Sequence, residues 1–538
     1  MTPMQRRTFL LSSLAAGFGT VAGGGLLSPA PAASAAGLVD SVTVDSALKV
    51  RVASGWLRGR MDRGVAAFLG IPYAAPPFGE HRMRPPRPPV PWRGLRNATK
   101  YGPTCPKYHP RPKTTPLFPE VVIPGKECLN LNVWTPDPQG SGLPVMVWIH
   151  GGTFTKGSGS APPYRGTSFA CAGVVCVTIN YRLGAEGFLH LDDGTANLGL
   201  LDQIAALEWV RENIAAFGGD PGKVTVAGQS AGAMSITTLM AMPRAQGLFH
   251  QAIIQSGAAA QTLTSQAAAG VTSRLAKSLR VAPTRTAFSK VPAGRLARAA
   301  SALTEEDPTG LDPAEWGSLP FAPVVDGHTL PDHPLDALRS GASSGVRLLA
   351  GWNRDDTRIG LVPNGFIDRI DMAGDATLSA LVSALGAPEG TVELYRAARP
   401  GAPNGDLLAA VTTDCFIRIP AIRVAEARLT VGRSNTWMYR FDHESPSFSG
   451  RLGAAHGVEI PYVFDLLDEE SVHALIGDQP SEVVAETAHG AWVDFVTDSN
   501  PGWCPYNLAN RSTALISEAI TVVDDPDSAE REVWTGRR

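Results

Sequence analysis

The chain has 538 residues, 44% hydrophobic and 18% charged, with a formal net charge of −3. That is ample apolar material for a large core and excludes an intrinsically disordered chain. The near-neutral balance, without a polybasic run, speaks against a nucleic-acid surface or an electrostatically held membrane patch.

Residues 1–35 differ from the rest. Arg6 and Arg7 precede Thr8, Phe9 and Leu10, then an Ala/Gly/Leu segment, and Ala33, Ser34 and Ala35 form a small-x-small cleavage site. This is the pattern of a twin-arginine export signal. Gly17, Gly19, Gly23, Gly24, Gly25 and Pro29 interrupt the apolar run, which is short for a membrane span. Residues 36–538 are expected to form one secreted domain, with no later stretch able to cross a bilayer. Export is compatible with disulfides. The count of six cysteines (Cys105, Cys128, Cys171, Cys176, Cys415 and Cys504) leaves their pairing open.

Val50 to Val52 and Ala66 to Gly70 read as short strands. The proline-dense Pro72 to Pro91 excludes regular helix or central strand and is expected to wrap the surface. Leu129 to Trp134 alternates like a half-buried strand. Val145 to Ile149 is a continuous apolar strand running into His150, Gly151 and Gly152. Val174 to Ile179 is another, ending in Asn180, Tyr181 and Arg182. Gly199 to Phe217 reads as an amphipathic helix, with Asp202, Glu208, Arg211 and Glu212 on its polar side.

Val224 to Val226 is a β-branched run followed by Gly228, Gln229, Ser230, Ala231 and Gly232, then a helix-compatible run to Met242. Strand, tight turn with serine at its apex, helix: this is what a nucleophile elbow requires. A Cβ at position 228 or 232 is expected to clash with the neighbouring strand or helix. With 56 glycines, chance matches to G-x-S-x-G are expected. Gly341 to Gly345 is one, but it lies between a helix and a strand, so Ser343 reads as a loop residue. Further strands are expected at Gln251 to Ile254, Val346 to Ala350 and Trp437 to Phe441, a helical region over 262–310, and a late helix at Ala485 to Val496. Buried strands separated by helices predict an open α/β sheet.

Six stretches together resemble the type-B carboxylesterases of the α/β-hydrolase superfamily. They are G-I-P-Y-A-A-P-P at Gly70 to Pro77, E-C-L-N-L-N-V-W at Glu127 to Trp134, H-G-G at His150 to Gly152, N-Y-R-L-G at Asn180 to Gly184, N-L-G-L-L-D-Q at Asn197 to Gln203, and G-Q-S-A-G-A at Gly228 to Ala233. The resemblance implies a large, mostly parallel sheet flanked by helices, with helical insertions, and hydrolysis of small carboxylic esters by a serine nucleophile, Ser230. It implies His456, in His456-Gly457-Val458-Glu459-Ile460, as the base. It implies Asp356 as the carboxylate, where the family usually has glutamate; the adjacent Asp355 reads as structural or loop-capping. The N–H groups of Gly151, Gly152 and Ala231 are implied as the oxyanion hole. Cys105 and Cys128 match the family's disulfide-closed loop, and Ser256 a serine near the triad.

Two departures bear on substrate. Gln229 stands where the family commonly has glutamate, and 105–128 holds no tryptophan. Quaternary ammonium esters are therefore not expected to be preferred. No metal or cofactor is implied. The alternatives are a lipase acting on longer acyl glycerides and a non-catalytic adhesion member of the fold. The oligomeric state is open.

Overall fold

The computed structural model describes residues 48–109, 117–258, 261–305, 319–432 and 435–537. The export-signal residues lie outside them. A sheet of eleven strands carries the molecule. In chain order these are β1 (Arg60–Asp62), β2 (Val65–Pro72), β3 (Asn130–Thr135), β4 (Leu143–Ile149), β5 (Val175–Ile179), β6 (Gly219–Gln229), β7 (Gln251–Gln255), β8 (Arg347–Asn353), β9 (Thr436–Phe441), β10 (Ser512–Ile516) and β11 (Ile520–Asp524). Their spatial order is β11-β10-β9-β8-β7-β6-β4-β5-β3-β2-β1. The seven strands from β10 to β5 are mutually parallel, and antiparallel strands finish both edges. Sheet and flanking helices give the α/β-hydrolase fold.

The central strands carry long apolar runs because helices cover both faces. Val145 to Ile149 of β4 and all of β5 are buried. Helix α1 (Leu198–Asn213) is more deeply buried than its pattern predicts. Asp202, expected on a polar face, is fully buried, and both its oxygens meet the Arg182 guanidinium at 2.7 Å. A carboxylate can be buried there because the fork of an arginine satisfies it. Helix α2 (Ala231–Ala241) follows β6 directly, and α3 (Glu482–Asp498) packs across β4 and β10. Between β8 and β9 the chain inserts helices from Arg358 to Leu429.

Ser343 is a loop residue, as expected: its Oγ donates to the Met240 carbonyl at 2.7 Å. The structure does not show the disulfide expected between Cys105 and Cys128. Both are buried free thiols, and the Cys105 sulfur is hydrogen-bonded to the Cys128 carbonyl oxygen at 3.6 Å instead of being joined to the partner sulfur.

Candidate active site

Ser230 stands between β6 and α2 with φ 57° and ψ −125°, a conformation that costs a non-glycine residue about 1–3 kcal/mol. The turn is held by its surroundings. The Ser230 N–H donates to the Gln255 carbonyl of the neighbouring strand at 2.9 Å. A Cβ on Gly232 would lie 1.9 Å from the Ile149 carbonyl oxygen, and one on Gly228 would lie 2.6 Å from the same atom. Both positions therefore need glycine for helix α2 to approach β4. Ala231 opens α2, so its N–H belongs to the first turn, which has no acceptor within the helix.

The end of β4 faces this turn. A Cβ on Gly151 would sit 2.8 Å from the Gln229 carbonyl oxygen and 3.0 Å from Ser230 Cβ. Gly152 has φ 109°, and its carbonyl accepts from the N–H groups of Thr155 and Lys156, both at 2.9 Å, which curls the loop back on itself. His150 is structural. Its ring stacks on Tyr181 with centroids 4.5 Å apart, its Nδ1 meets the Gly151 carbonyl at 2.8 Å, and burial pushes its pKa down to about 3. The ring is neutral, so Nδ1 carries the proton in that bond.

Asp356 and His456 meet across a loop pair. His456 Nδ1 lies 2.6 Å from Asp356 Oδ1, and the His456 N–H donates to the Asp356 carbonyl at 3.1 Å. A carboxylate can only accept, so Nδ1 is the protonated nitrogen and Nε2 is left as a base. The other carboxylate oxygen accepts from the Asn353 N–H at 2.8 Å. Asp355 points elsewhere: it binds Arg354 and Arg358 and accepts from the Ala454 N–H at 3.1 Å.

Gln229 and Ser256, the two residues expected beside the triad, each hold a buried polar atom with no hydrogen-bond partner. Gln229 is buried, with its Nε2 lacking a hydrogen-bond partner. Ser256 is also buried, and its Oγ has no partner. It sits one residue past β7 with φ 47°, and its own N–H is held by the Gly351 carbonyl.

The matches to known proteins agree with this geometry. The model of the carboxylesterase family matches residues 46–523. The chain belongs to the carboxylesterase family. The para-nitrobenzyl esterase of Bacillus subtilis (strain 168) is 39% identical over 89% of this chain and 96% of its own. The phenmedipham hydrolase of Pseudarthrobacter oxydans is 37% identical over 83% of this chain and 89% of its own. Among solved structures, a carboxylesterase of Geobacillus stearothermophilus superposes with a TM-score of 0.79 at 36% identity, covering 90% of this chain and all of that one. The enzyme is a carboxylic ester hydrolase.

This carboxylesterase has a second buried carboxylate whose role the sequence did not disclose. Glu459 Oε2 accepts from Asn353 Nδ2 at 2.5 Å and Oε1 from Gln255 Nε2 at 3.2 Å. Asn353 also donates to the Ala455 carbonyl at 2.7 Å, next to His456. Gln255 in turn accepts from the Trp492 indole N–H at 2.9 Å. Glu459 thus links the strand that holds the Ser230 N–H to the residues flanking Asp356 and His456. Burial first, and then the Asp356 charge, push its pKa up to about 6. Among the described residues no His/Cys/Asp/Glu cluster could hold a metal ion, and no helix is long and apolar enough to cross a membrane.

Proposed function

We propose that the enzyme is an exported serine carboxylesterase that cleaves small carboxylic esters through an acyl-enzyme on Ser230. The observation that carries this reading is the 2.6 Å bond between His456 Nδ1 and Asp356, which fixes the tautomer a general base requires. His456 Nε2 takes the Ser230 proton as Oγ attacks the ester carbonyl. The resulting oxyanion is met by the N–H groups of Gly151, Gly152 and Ala231. The tetrahedral intermediate collapses, the C–O bond to the alcohol breaks, and the alcohol leaves with the proton from His456. Water then enters, gives a proton to the same nitrogen, and its oxygen attacks the acyl carbonyl; acid and free Ser230 result. Asp356 keeps its charge throughout and stabilises the imidazolium.

The twin arginines and the small-x-small site support export. The relatives act, by their names, on para-nitrobenzyl esters and on phenmedipham, which supports small neutral esters as substrates here too. Gln229 supports the same preference, because the residue before the nucleophile carries no charge.

The test is hydrolysis of para-nitrophenyl acetate, butyrate and palmitate by wild type and Ser230→Ala. Cleavage of the short esters, lost by orders of magnitude in the variant, is the expected result. A preference for palmitate with a rate jump at the micelle threshold would make the enzyme a lipase. A folded wild type inert on all three, and matched by the variant, would leave a binding protein.

A further inference from the structure

Lys107 and Glu120 form an ion pair in the 105–128 loop, and the Lys107 side chain is 1% exposed. A buried ion pair does not pay for its own desolvation unless its remaining bonding capacity is used. Here that capacity goes to one residue. Lys107 Nζ donates to the Gly157 carbonyl at 2.8 Å, and Glu120 Oε2 accepts from the Gly157 N–H at 3.1 Å. Both backbone groups of Gly157 are therefore held by the pair.

Gly157 presses on the start of the oxyanion loop. A Cβ there would lie 2.5 Å from His150 Nδ1 and 2.6 Å from the Gly151 carbonyl oxygen, and its φ is 90°. The residues just before it, Thr155 and Lys156, donate their N–H groups to the Gly152 carbonyl. Gly151 and Gly152 are thus fixed from behind by a short closed loop whose far end is Gly157. The same 105–128 loop reaches the opposite wall: the Phe118 ring lies where a Cβ on Gly457, beside His456, would stand, at 2.5 Å.

We propose that Lys107 and Glu120 are positioning residues for ester hydrolysis: the pair grips Gly157 and so sets the Gly151–Gly152 N–H groups at the distance the tetrahedral oxyanion needs. Neither residue touches the substrate. Their effect is confined to the state in which negative charge has developed on the carbonyl oxygen. The proposal rests on the serine esterase reading.

The experiment compares wild type with Lys107→Met, Glu120→Ala and Glu120→Gln on para-nitrophenyl butyrate, and measures inhibition by an aryl trifluoromethyl ketone. That ketone forms a hemiketal on the serine and places its oxyanion where the ester's would be. Lys107→Met keeps the packed stem; Glu120→Gln still accepts from the Gly157 N–H. Lys107→Met and Glu120→Ala are expected to lower kcat about 10- to 100-fold, leave KM within about threefold, and weaken the ketone by the same factor as kcat. Glu120→Gln is expected to regain most of both. Folded variants with wild-type kcat and ketone affinity would overturn the proposal. So would a fall in kcat or melting temperature with ketone affinity unchanged. If Glu120→Ala does not fold, Lys107→Met and Glu120→Gln carry the same criteria. Loss of wild-type sensitivity to Ser230→Ala would instead strike the esterase reading itself.

Discussion

Replacing Asp356 with asparagine removes one charge and no volume. The wild-type carboxylate is 1% exposed and takes two donors, His456 Nδ1–H at 2.6 Å and the Asn353 N–H at 2.8 Å. An asparagine has one oxygen to offer, so its NH2 must face one of those donors. If the backbone keeps the oxygen, the imidazole turns its unprotonated nitrogen toward the amide, and Nε2 carries the proton. The base is then blocked, as well as stripped of the charge that stabilises its cation. The wrong tautomer costs about 10⁴ in kcat in triads of this kind, which is about 5 kcal/mol of transition-state stabilisation. If the imidazole keeps the oxygen, a buried N–H is left without an acceptor, at about 1–3 kcal/mol of stability. The assay is kcat on para-nitrophenyl butyrate at pH 8, with urea unfolding beside it. A folded Asp356→Asn enzyme keeping more than about a tenth of wild-type kcat would refute the assignment, since a loss on the order of 10⁴ is expected. It would refute it in favour of Glu459 if Glu459→Gln were the variant that lost the activity.

Glu459 also carries a pH signature. Its folded pKa, about 6, lies above the ordinary 4.5, so the folded state holds the proton more tightly than the unfolded chain. Its stability contribution is complete below pH 4.5 and is lost as pH rises to 6, by about 2 kcal/mol. The difference in melting temperature between Glu459→Gln and wild type should grow in the variant's favour across that window; a flat difference would exclude the shift. Gly232→Ala, which puts a Cβ 1.9 Å from a carbonyl oxygen, should lower the unfolding free energy read from urea titration by at least about 1–3 kcal/mol or prevent folding. Gly490→Ala, inside α3 with nothing within 4 Å of the new methyl, should raise it by about 0.5–1 kcal/mol. In the native reduced protein a thiol reagent should quickly label the exposed Cys171 and Cys504 and spare Cys105, Cys128 and Cys176. Rapid labelling of Cys105 would show that the 105–128 loop opens.

What could be read in advance was what is local. The Ser230 turn is announced within eleven residues, because strand, glycine, serine and helix each leave their mark in consecutive positions. The same holds for β4 running into Gly151 and Gly152. Periodicity failed at Asp202, since a polar face looks the same whether water or Arg182 covers it. The edge strand Ile520–Asp524 escaped because it is short and largely exposed. Glu459 was visible in a motif but its work was not, because its partners Asn353 and Gln255 are 106 and 204 residues away. Only packing reveals such a bond. The Lys107 and Glu120 side chains were hidden for the same reason: a proline-rich loop gives no sign that two of its charges turn inward.

The parallel sheet also governs when activity can first exist. Ser230 follows β6 directly, but the neighbouring strand β7 comes next in the chain, and β8, which delivers Asp356, begins over a hundred residues after Ser230. His456 follows Ser230 by 226 residues. At roughly 5–20 residues per second, a ribosome needs about 11–45 s to close that gap. Once β7 has been made, the growing polypeptide carries the Ser230 turn without His456. The order of the strands thus works as a timer, keeping Ser230 apart from His456 until synthesis has reached the last sixth of the protein.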